Sequence, residues 1–131
     1  MAKTKILTTR WWRRSKAAHG FSLIELLVVV AIIAILAAVA VPQFFAYKAR
    51  SVDAVMHSDL KNAAIAMESY YATYHSYPAS TVVLTSSGFA SSPGVGLTVT
   101  LLTATSYTLT AAASGGTQPT FTLSGVTGVI N

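Results

Sequence analysis

The 131-residue sequence contains no cysteine, and only 10% of its residues are charged. The absence of cysteine excludes disulfide bonds and thiolate metal sites. Soluble domains ordinarily carry about 25% charged residues, so the low charge argues against a free cytosolic enzyme. No lysine, arginine, aspartate or glutamate follows Glu68. The length allows one modest domain with appendages and not two full domains.

Positive charge is concentrated at the start of the chain. Six of the nine basic residues precede Gly20, and no acidic residue accompanies them. The six are Lys3, Lys5, Arg10, Arg13, Arg14 and Lys16. From Phe21 onward the sequence has three basic and four acidic side chains, which gives a net side-chain charge of −1. The basic excess therefore belongs to a short N-terminal arm, and the rest of the chain has no charge signal for a nucleic-acid partner.

Residues 21–41 form an apolar run whose only polar members are Ser22 and Glu25. As a helix the run spans roughly 32 Å, which matches a bilayer core of about 30 Å. The basic arm orients the chain with its N-terminus in the cytoplasm. A secretory signal peptide is the alternative, because Ala38-Val39-Ala40 fits signal peptidase. Signal h-regions are about 7–15 residues long, however, and this run is longer.

The helical pattern continues beyond Pro42. Apolar residues recur at spacings of three and four, which places them on one face of a helix. They are Phe45, Ala49, Val52, Met56, Leu60, Ala63, Met67, Tyr70 and Tyr74. The spacing predicts one helix from Phe21 to about Tyr74, kinked near Pro42 and ended by Tyr77-Pro78. Its second half has one buried stripe.

Three later segments alternate between threonine and apolar residues, as strands do. They are residues 97–101, 107–111 and 120–123. The pattern predicts a small antiparallel sheet with one covered face. The apolar stripe of the helix is the natural cover. The expected fold class is therefore α+β, with a long N-terminal helix and the sheet packed on its C-terminal half.

No catalytic, cofactor or metal site is predicted. Arg50, Asp53, His57 and Lys61 follow one another at spacings of three and four. That spacing predicts solvated pairs on a helix surface. No motif places a nucleophile near a histidine, and no cluster of ligands has the spacing of a metal site. We therefore expect no enzymatic activity.

Residues 20–42 read GFSLIELLVVVAIIAILAAVAVP. Gly20, Phe21, a lone Glu25 and an apolar helix closed by Pro42 resemble the N-terminus of type IV pilins and pseudopilins. The resemblance implies cleavage after Gly20 by a membrane prepilin peptidase and N-methylation of the new Phe21 amine. Composition and charge along the chain, taken with this resemblance, predict a basic leader that is removed (1–20), a transmembrane and filament-core helix (21–41), an amphipathic continuation (42–77) and a Ser/Thr-rich sheet region (78–131).

Glu25 is expected to act in assembly, together with Phe21 and Pro42. An acid within a bilayer helix costs about 2.5–3.5 kcal/mol and is functional by default. We expect Glu25 to pair with the α-amine of Phe21, within one chain or between neighbours. Pairing between neighbours favours one axial register, because a slipped subunit leaves a buried charge unpaired. The alternative is that Glu25 has no role in assembly and that its carboxylate extends to the polar edge of the membrane.

The expected function is that of a structural subunit, the major pilin, of a type IV pilus. Its expected partners are further copies of itself, the prepilin peptidase and methyltransferase, the inner-membrane assembly machinery and the bilayer. The subunit is expected in the bacterial inner membrane, crossing it once, and then in the extracellular pilus. The alternatives are a type II secretion pseudopilin, and a minor pilin for surface binding or DNA uptake. The lack of acids after Glu68 argues against a calcium-binding pseudopilin.

Overall fold

The computed structural model describes residues 20–131, so nearly all of the predicted leader (1–20) lies outside the described residues. The elements in chain order are α1 (Leu23–Tyr74), α2 (Thr81–Ser86), β1 (Val95–Thr103), β2 (Ser106–Ala113) and β3 (Thr120–Ser124). The predicted long helix and three-stranded sheet are confirmed. The six-residue helix α2 was not predicted. The chain divides into two units, with the boundary in the sequence between Leu36 and Ala37.

The first unit is the beginning of α1. All its described residues are exposed, and Phe21 is 88% exposed. By length and composition, α1 contains a segment able to cross a membrane. The apolar residues lie all around this part of the helix, which is typical of a segment that is surrounded by lipid or by other helices.

The second unit, Ala37–Asn131, is called the head. Within it, α1 passes through Pro42 as continuous helix; the predicted kink stays a prediction. The sheet has the order β1-β2-β3, and both pairings are antiparallel. Leu109 of β2 lies opposite Val99 of β1 and Leu123 of β3. Every second residue of β2 is buried from Tyr107 to Ala111, as expected of a sheet with one covered face.

The core lies between α1 and the sheet. The centre of the predicted stripe is fully buried, at Met56, Leu60, Ala63 and Met67. The sheet and α2 contribute Leu84, Tyr107, Leu109, Ala111, Phe121 and Leu123 to the same cluster. Burying one such side chain contributes about 1.5–3 kcal/mol. At the ends of the stripe, the prediction of burial was wrong: Phe45 is 61% and Tyr74 62% exposed, because the sheet covers only the middle of the stripe.

Two aspartates of α1 hold loops of the head. Asp59 is 3% exposed and accepts hydrogen bonds from the amide and hydroxyl of Ser92, at 2.7 and 2.8 Å. Asp53 accepts from the amide of Thr117 at 2.9 Å and from its hydroxyl. A Cβ on Gly116 would stand 2.5 Å from Asp53 Oδ1, so glycine permits this approach. Bonds to ionised groups are stronger than neutral ones, so each carboxylate fixes its loop on α1.

The last residues of the chain lie along β3. Thr122 and Asn131 exchange two backbone hydrogen bonds of 2.8 Å, and the amide of Ser124 donates to Val129 at 3.1 Å. An unpaired strand edge is a template for pairing with other chains, and charges commonly protect it. This sheet has no charged residues, and the chain covers part of the β3 edge with its own backbone instead.

Candidate assembly site

The first turn of α1 is closed by a reciprocal pair of hydrogen bonds. The Glu25 amide donates to Ser22 Oγ at 3.2 Å, and the Ser22 amide donates to Glu25 Oε2 at 3.1 Å. The Ser22 hydroxyl also donates to Oε2 at 3.0 Å. This is a capping box, which satisfies two amides that the helix itself leaves without partners. It explains why α1 begins at Leu23.

The capping box gives Glu25 a role that the sequence analysis missed. The signal was present, since a serine followed three residues later by glutamate before an apolar run marks a helix start. The Glu25 carboxylate lies at the positive end of the helix dipole. The carboxylate is held at the amide of Ser22, the residue that follows Phe21. In the described chain the Phe21 nitrogen is still part of the peptide bond to Gly20.

Gly20 and Phe21 precede the helix and are exposed. Among residues 20–131, a Cβ added to Gly20 would meet no atom within 4 Å. The described part of the chain therefore places no steric demand for glycine at this position. A requirement for glycine at residue 20 has to come from a molecule that binds the chain.

The apolar surface of α1 is continuous over the predicted transmembrane run. Each large apolar side chain from Phe21 to Val41 is at least 50% exposed. Monomeric soluble proteins rarely expose apolar patches of more than a few hundred Å². The surface of this segment is therefore made for a lipid or protein environment.

Glu68 of α1 binds two tyrosines that lie after the helix in the sequence. It accepts hydrogen bonds from the hydroxyls of Tyr77, at 3.2 Å, and Tyr107, at 3.0 Å. Burial, followed by the bond to Glu68, raises the pKa of both tyrosines above the ordinary value of 10.0. The rings of Tyr77 and Tyr107 lie 4.7 Å apart. Neither tyrosine was predicted as a partner of Glu68 from the sequence.

The structure does not form the expected pairs between Arg50, Asp53, His57 and Lys61. These residues line a shallow groove, but Asp53 bonds to Thr117 instead. The His57 ring packs edge-on against Phe121, with centroids 4.5 Å apart. The prediction of helix pairs was wrong at Asp53 and His57 because a loop residue and a strand residue, distant in sequence, contact these side chains instead. Within residues 20–131, no three His, Cys, Asp or Glu residues come together as metal ligands.

Comparison with known families covers both parts of the chain. Residues 15–41 match the family described as "Prokaryotic N-terminal methylation motif". Residues 42–122 match the family described as "Type IV minor pilin ComP, DNA uptake sequence receptor". The first match includes Gly20, Phe21 and Glu25, and the second includes most of the head.

Curated relatives agree with these matches. The "Type IV wide pilus major component PilA4" of Thermus thermophilus is 43% identical over 101 residues, which are 76% of this chain and 77% of the relative. The "Type IV major pilin protein PilA" of Myxococcus xanthus is 45% identical over 59 residues, 45% of this chain and 27% of the relative. A "Fimbrial protein" of Pseudomonas aeruginosa is 64% identical over 36 residues, 28% of this chain and 23% of the relative. With the motif, the long helix and the small sheet in one chain, these likenesses show that it belongs to the type IV pilin family.

Proposed function

We propose that the chain is the major subunit of a type IV pilus, cut after Gly20, N-methylated at Phe21 and polymerised through α1. The observation that carries the proposal is the exposed apolar surface of α1. Each large apolar side chain from Phe21 to Val41 is at least half exposed. Lipid covers this surface before assembly, and the helices of other copies cover it in the filament. The likeness to a major component over 77% of that relative supports the major role.

Maturation by prepilin peptidase is supported at Gly20. This residue lies outside α1 and is exposed, and residues 20–131 place no steric demand for glycine there. A protease that binds an exposed, non-helical segment can reach the bond after Gly20. In this proposal residues 1–20 are the leader and residues 21–41 become the filament core, while the head carries the continuation of the helix and the sheet.

Glu25 is the proposed assembly residue. Cleavage converts the Phe21 nitrogen to a positively charged amine, one residue from the cap at Ser22. The capping box holds the carboxylate near that end of the helix. In apolar surroundings, amine and carboxylate neutralise each other, and an unpaired partner is costly. Pairing between neighbouring copies then fixes the register of one helix on the next.

The proposed path begins in the bacterial inner membrane, with the N-terminus in the cytoplasm and the head outside. The prepilin peptidase and methyltransferase act there on Gly20 and Phe21. The assembly machinery then moves the subunit from lipid into the extracellular filament. Pro42 lies in α1 immediately after the apolar run, where a proline relaxes the helix by removing one backbone hydrogen bond.

Sheared filaments test this function directly. The expected result is a filament fraction dominated by this chain, whose N-terminal residue is N-methylated phenylalanine, Phe21. A chain that still begins at Met1 contradicts the maturation, and a filament dominated by another subunit contradicts the major role. Mass spectrometry of the intact subunit and electron microscopy of the same fraction give both readouts.

A minor pilin for DNA uptake is the second candidate. It is favoured by the match of residues 42–122 to the family described as a DNA uptake sequence receptor. Deletion of the gene distinguishes the two. Loss of filaments supports the major role, whereas normal filaments with lost DNA uptake support the minor role.

A further inference from the structure

A trough runs between α1 and the end of β3. Lys61, Ile65 and Glu68 line it on the helix, and Gly125 and Gly128 line the opposite rim. Tyr107 and Leu123 also line it. Its volume is about 440 Å³. All the residues that line the α1–β3 trough belong to the head.

The glycines of the rim give the trough its shape. A Cβ on Gly125 would stand 2.5 Å from the Tyr107 ring. The Gly125 amide donates to the Tyr107 carbonyl at 2.9 Å, which holds the loop against the ring. Gly128 has a φ of +68°, a conformation that side-chain-bearing residues seldom adopt. The loop therefore approaches closely and leaves the side facing α1 open.

Exposed apolar side chains occur in the trough, at Ile65, and on the loop that carries Gly125 and Gly128. Ile65 is 68% exposed, Val126 70% and Val129 51%. Ile65 is the exposed apolar residue between Lys61 and Glu68 on α1, and the two valines belong to the loop that carries the glycines. An apolar centre with polar groups at its margin is the usual arrangement of a protein contact surface.

The charges of the trough are one cation and one anion. Within residues 20–131, Lys61 takes part in no hydrogen bond or ion pair. Glu68 is fixed in place by two tyrosine hydroxyls, and no described cation pairs with it. A net charge of zero does not attract a polyanion such as DNA. Residues 69–131, which include the whole sheet, contain no acidic side chain that could pair with Lys61.

We propose that the α1–β3 trough is a contact surface for a second copy of this chain, in which Lys61 of one copy pairs with Glu68 of the next around the apolar centre at Ile65. The inference rests on the proposed filament function, because parallel copies in a filament present the same surface repeatedly. Because the trough has one charge of each sign, the positive charge of one copy can pair with the negative charge of a second copy that is displaced along the axis of α1. The two residues are seven positions apart on α1, which is about 10.5 Å along the helix axis. A neighbour displaced by about that distance brings the two charges level.

Carbodiimide cross-linking of purified filaments tests the contact. This reagent joins an amine to an adjacent carboxylate as an amide, with loss of water. We expect dimers and larger species on a denaturing gel, and a peptide in the dimer band in which Lys61 is joined to Glu68. Lys61→Arg is the matched control, since it keeps the charge and the filament and removes the reactive amine. A dimer band in which Lys61 is joined to another carboxylate, or to none, overturns the proposal.

Charge reversal is the second test. We expect Lys61→Glu and Glu68→Lys each to reduce the filament yield at least fivefold, and the double reversal to restore at least half of it. Lys48→Glu, a reversal on α1 outside the trough, is expected to leave the yield unchanged. Thermal unfolding of the detergent-solubilised subunits identifies variants that fail to fold, because Glu68→Lys also removes the acceptor of two tyrosines. If Glu68→Lys lowers the melting temperature of the subunit, the charge-neutral variants Glu68→Gln and Lys61→Gln are used in place of the reversals. The filament yield of the double variant is then expected to be no lower than that of either single variant.

The outcomes separate this contact from the filament function itself. If the unaltered chain forms no filaments, both proposals are wrong. If it forms filaments that are indifferent to Lys61→Glu, or that the double reversal does not rescue although the subunit is folded, only the trough contact is wrong.

Discussion

Ser22 and Glu25 satisfy each other's backbone amides at the start of α1, through hydrogen bonds of 3.2 and 3.1 Å. Glu25 therefore has a partner within its own helix before any second copy or free amine is present. The capping role and the assembly role make different demands on this side chain. Capping requires an acceptor oxygen, whereas pairing with the Phe21 amine requires a negative charge.

Substitutions at these two residues separate cap from charge. We expect Glu25→Gln to reduce filaments about as severely as Glu25→Leu, because glutamine keeps the capping acceptor and loses the charge. Ser22→Ala is expected to weaken the cap by about 0.5–2 kcal/mol and to leave filaments abundant. The measurement is pelleted filament relative to membrane-bound subunit. Abundant filaments from Glu25→Gln would reject the charge-pairing role.

At Gly20 we expect the substitution by leucine to block maturation. Residues 20–131 leave room for the side chain, so the effect is expected to arise in the protease site. The measurement is the mass of the membrane-bound subunit, which should remain that of the precursor. Ala18→Leu makes a similar change two residues upstream and should be processed. Normal processing of Gly20→Leu would show that the peptidase does not select for glycine.

Asp59 is expected to be the more costly of the two loop-holding aspartates. Asp59→Ala removes a buried carboxylate and leaves the partly buried Ser92 amide and hydroxyl without their acceptor, at an expected cost of about 2–3 kcal/mol. Asp53→Ala is the matched change at a half-buried site and should cost less, because water replaces the lost bonds to Thr117. Thermal unfolding of the full chain in detergent measures both. Equal losses would contradict the view that burial sets the cost.

Alkaline pH is expected to destabilise the head through Tyr77 and Tyr107. Their pKa values are raised in the folded chain by burial and by Glu68, so the unfolded chain ionises first. The stabilisation is fully present below pH 10, the ordinary tyrosine pKa, and is lost as the pH rises through the folded values. Melting temperatures measured from pH 8 upward should fall above about pH 10. Tyr107→Phe should flatten the decline; an unchanged slope in this variant would assign it to other groups.

The parts of the fold that depend on local periodicity were predictable from the sequence. The stripe on α1 and the alternation in β2 are such parts, since helix and strand periods are visible in a single sequence. Helix α2 was missed because Thr81, Val82 and Val83 favour strands. The burial of Leu84 in the common core holds this short helix in place, and such a tertiary contact leaves no local signal.

The partners of the polar residues were less accessible than the elements that carry them. Ser92 lies 33 residues from Asp59, and Thr117 lies 64 residues from Asp53. Helical spacing shows which side chains share a face, but it does not show which loop returns to that face. The cap at Ser22 and Glu25 differs, because its whole signal lies within four consecutive residues.

The two aspartate-held loops also bear on the conditions under which the head can fold. Disulfides need an oxidising compartment and are lost to reductants. Here hydrogen bonds to carboxylates fasten the loops at Ser92 and Thr117, and the chain has no thiol to oxidise. Folding of this head therefore requires no thiol-oxidising enzyme, and its integrity does not depend on the redox potential of the surroundings.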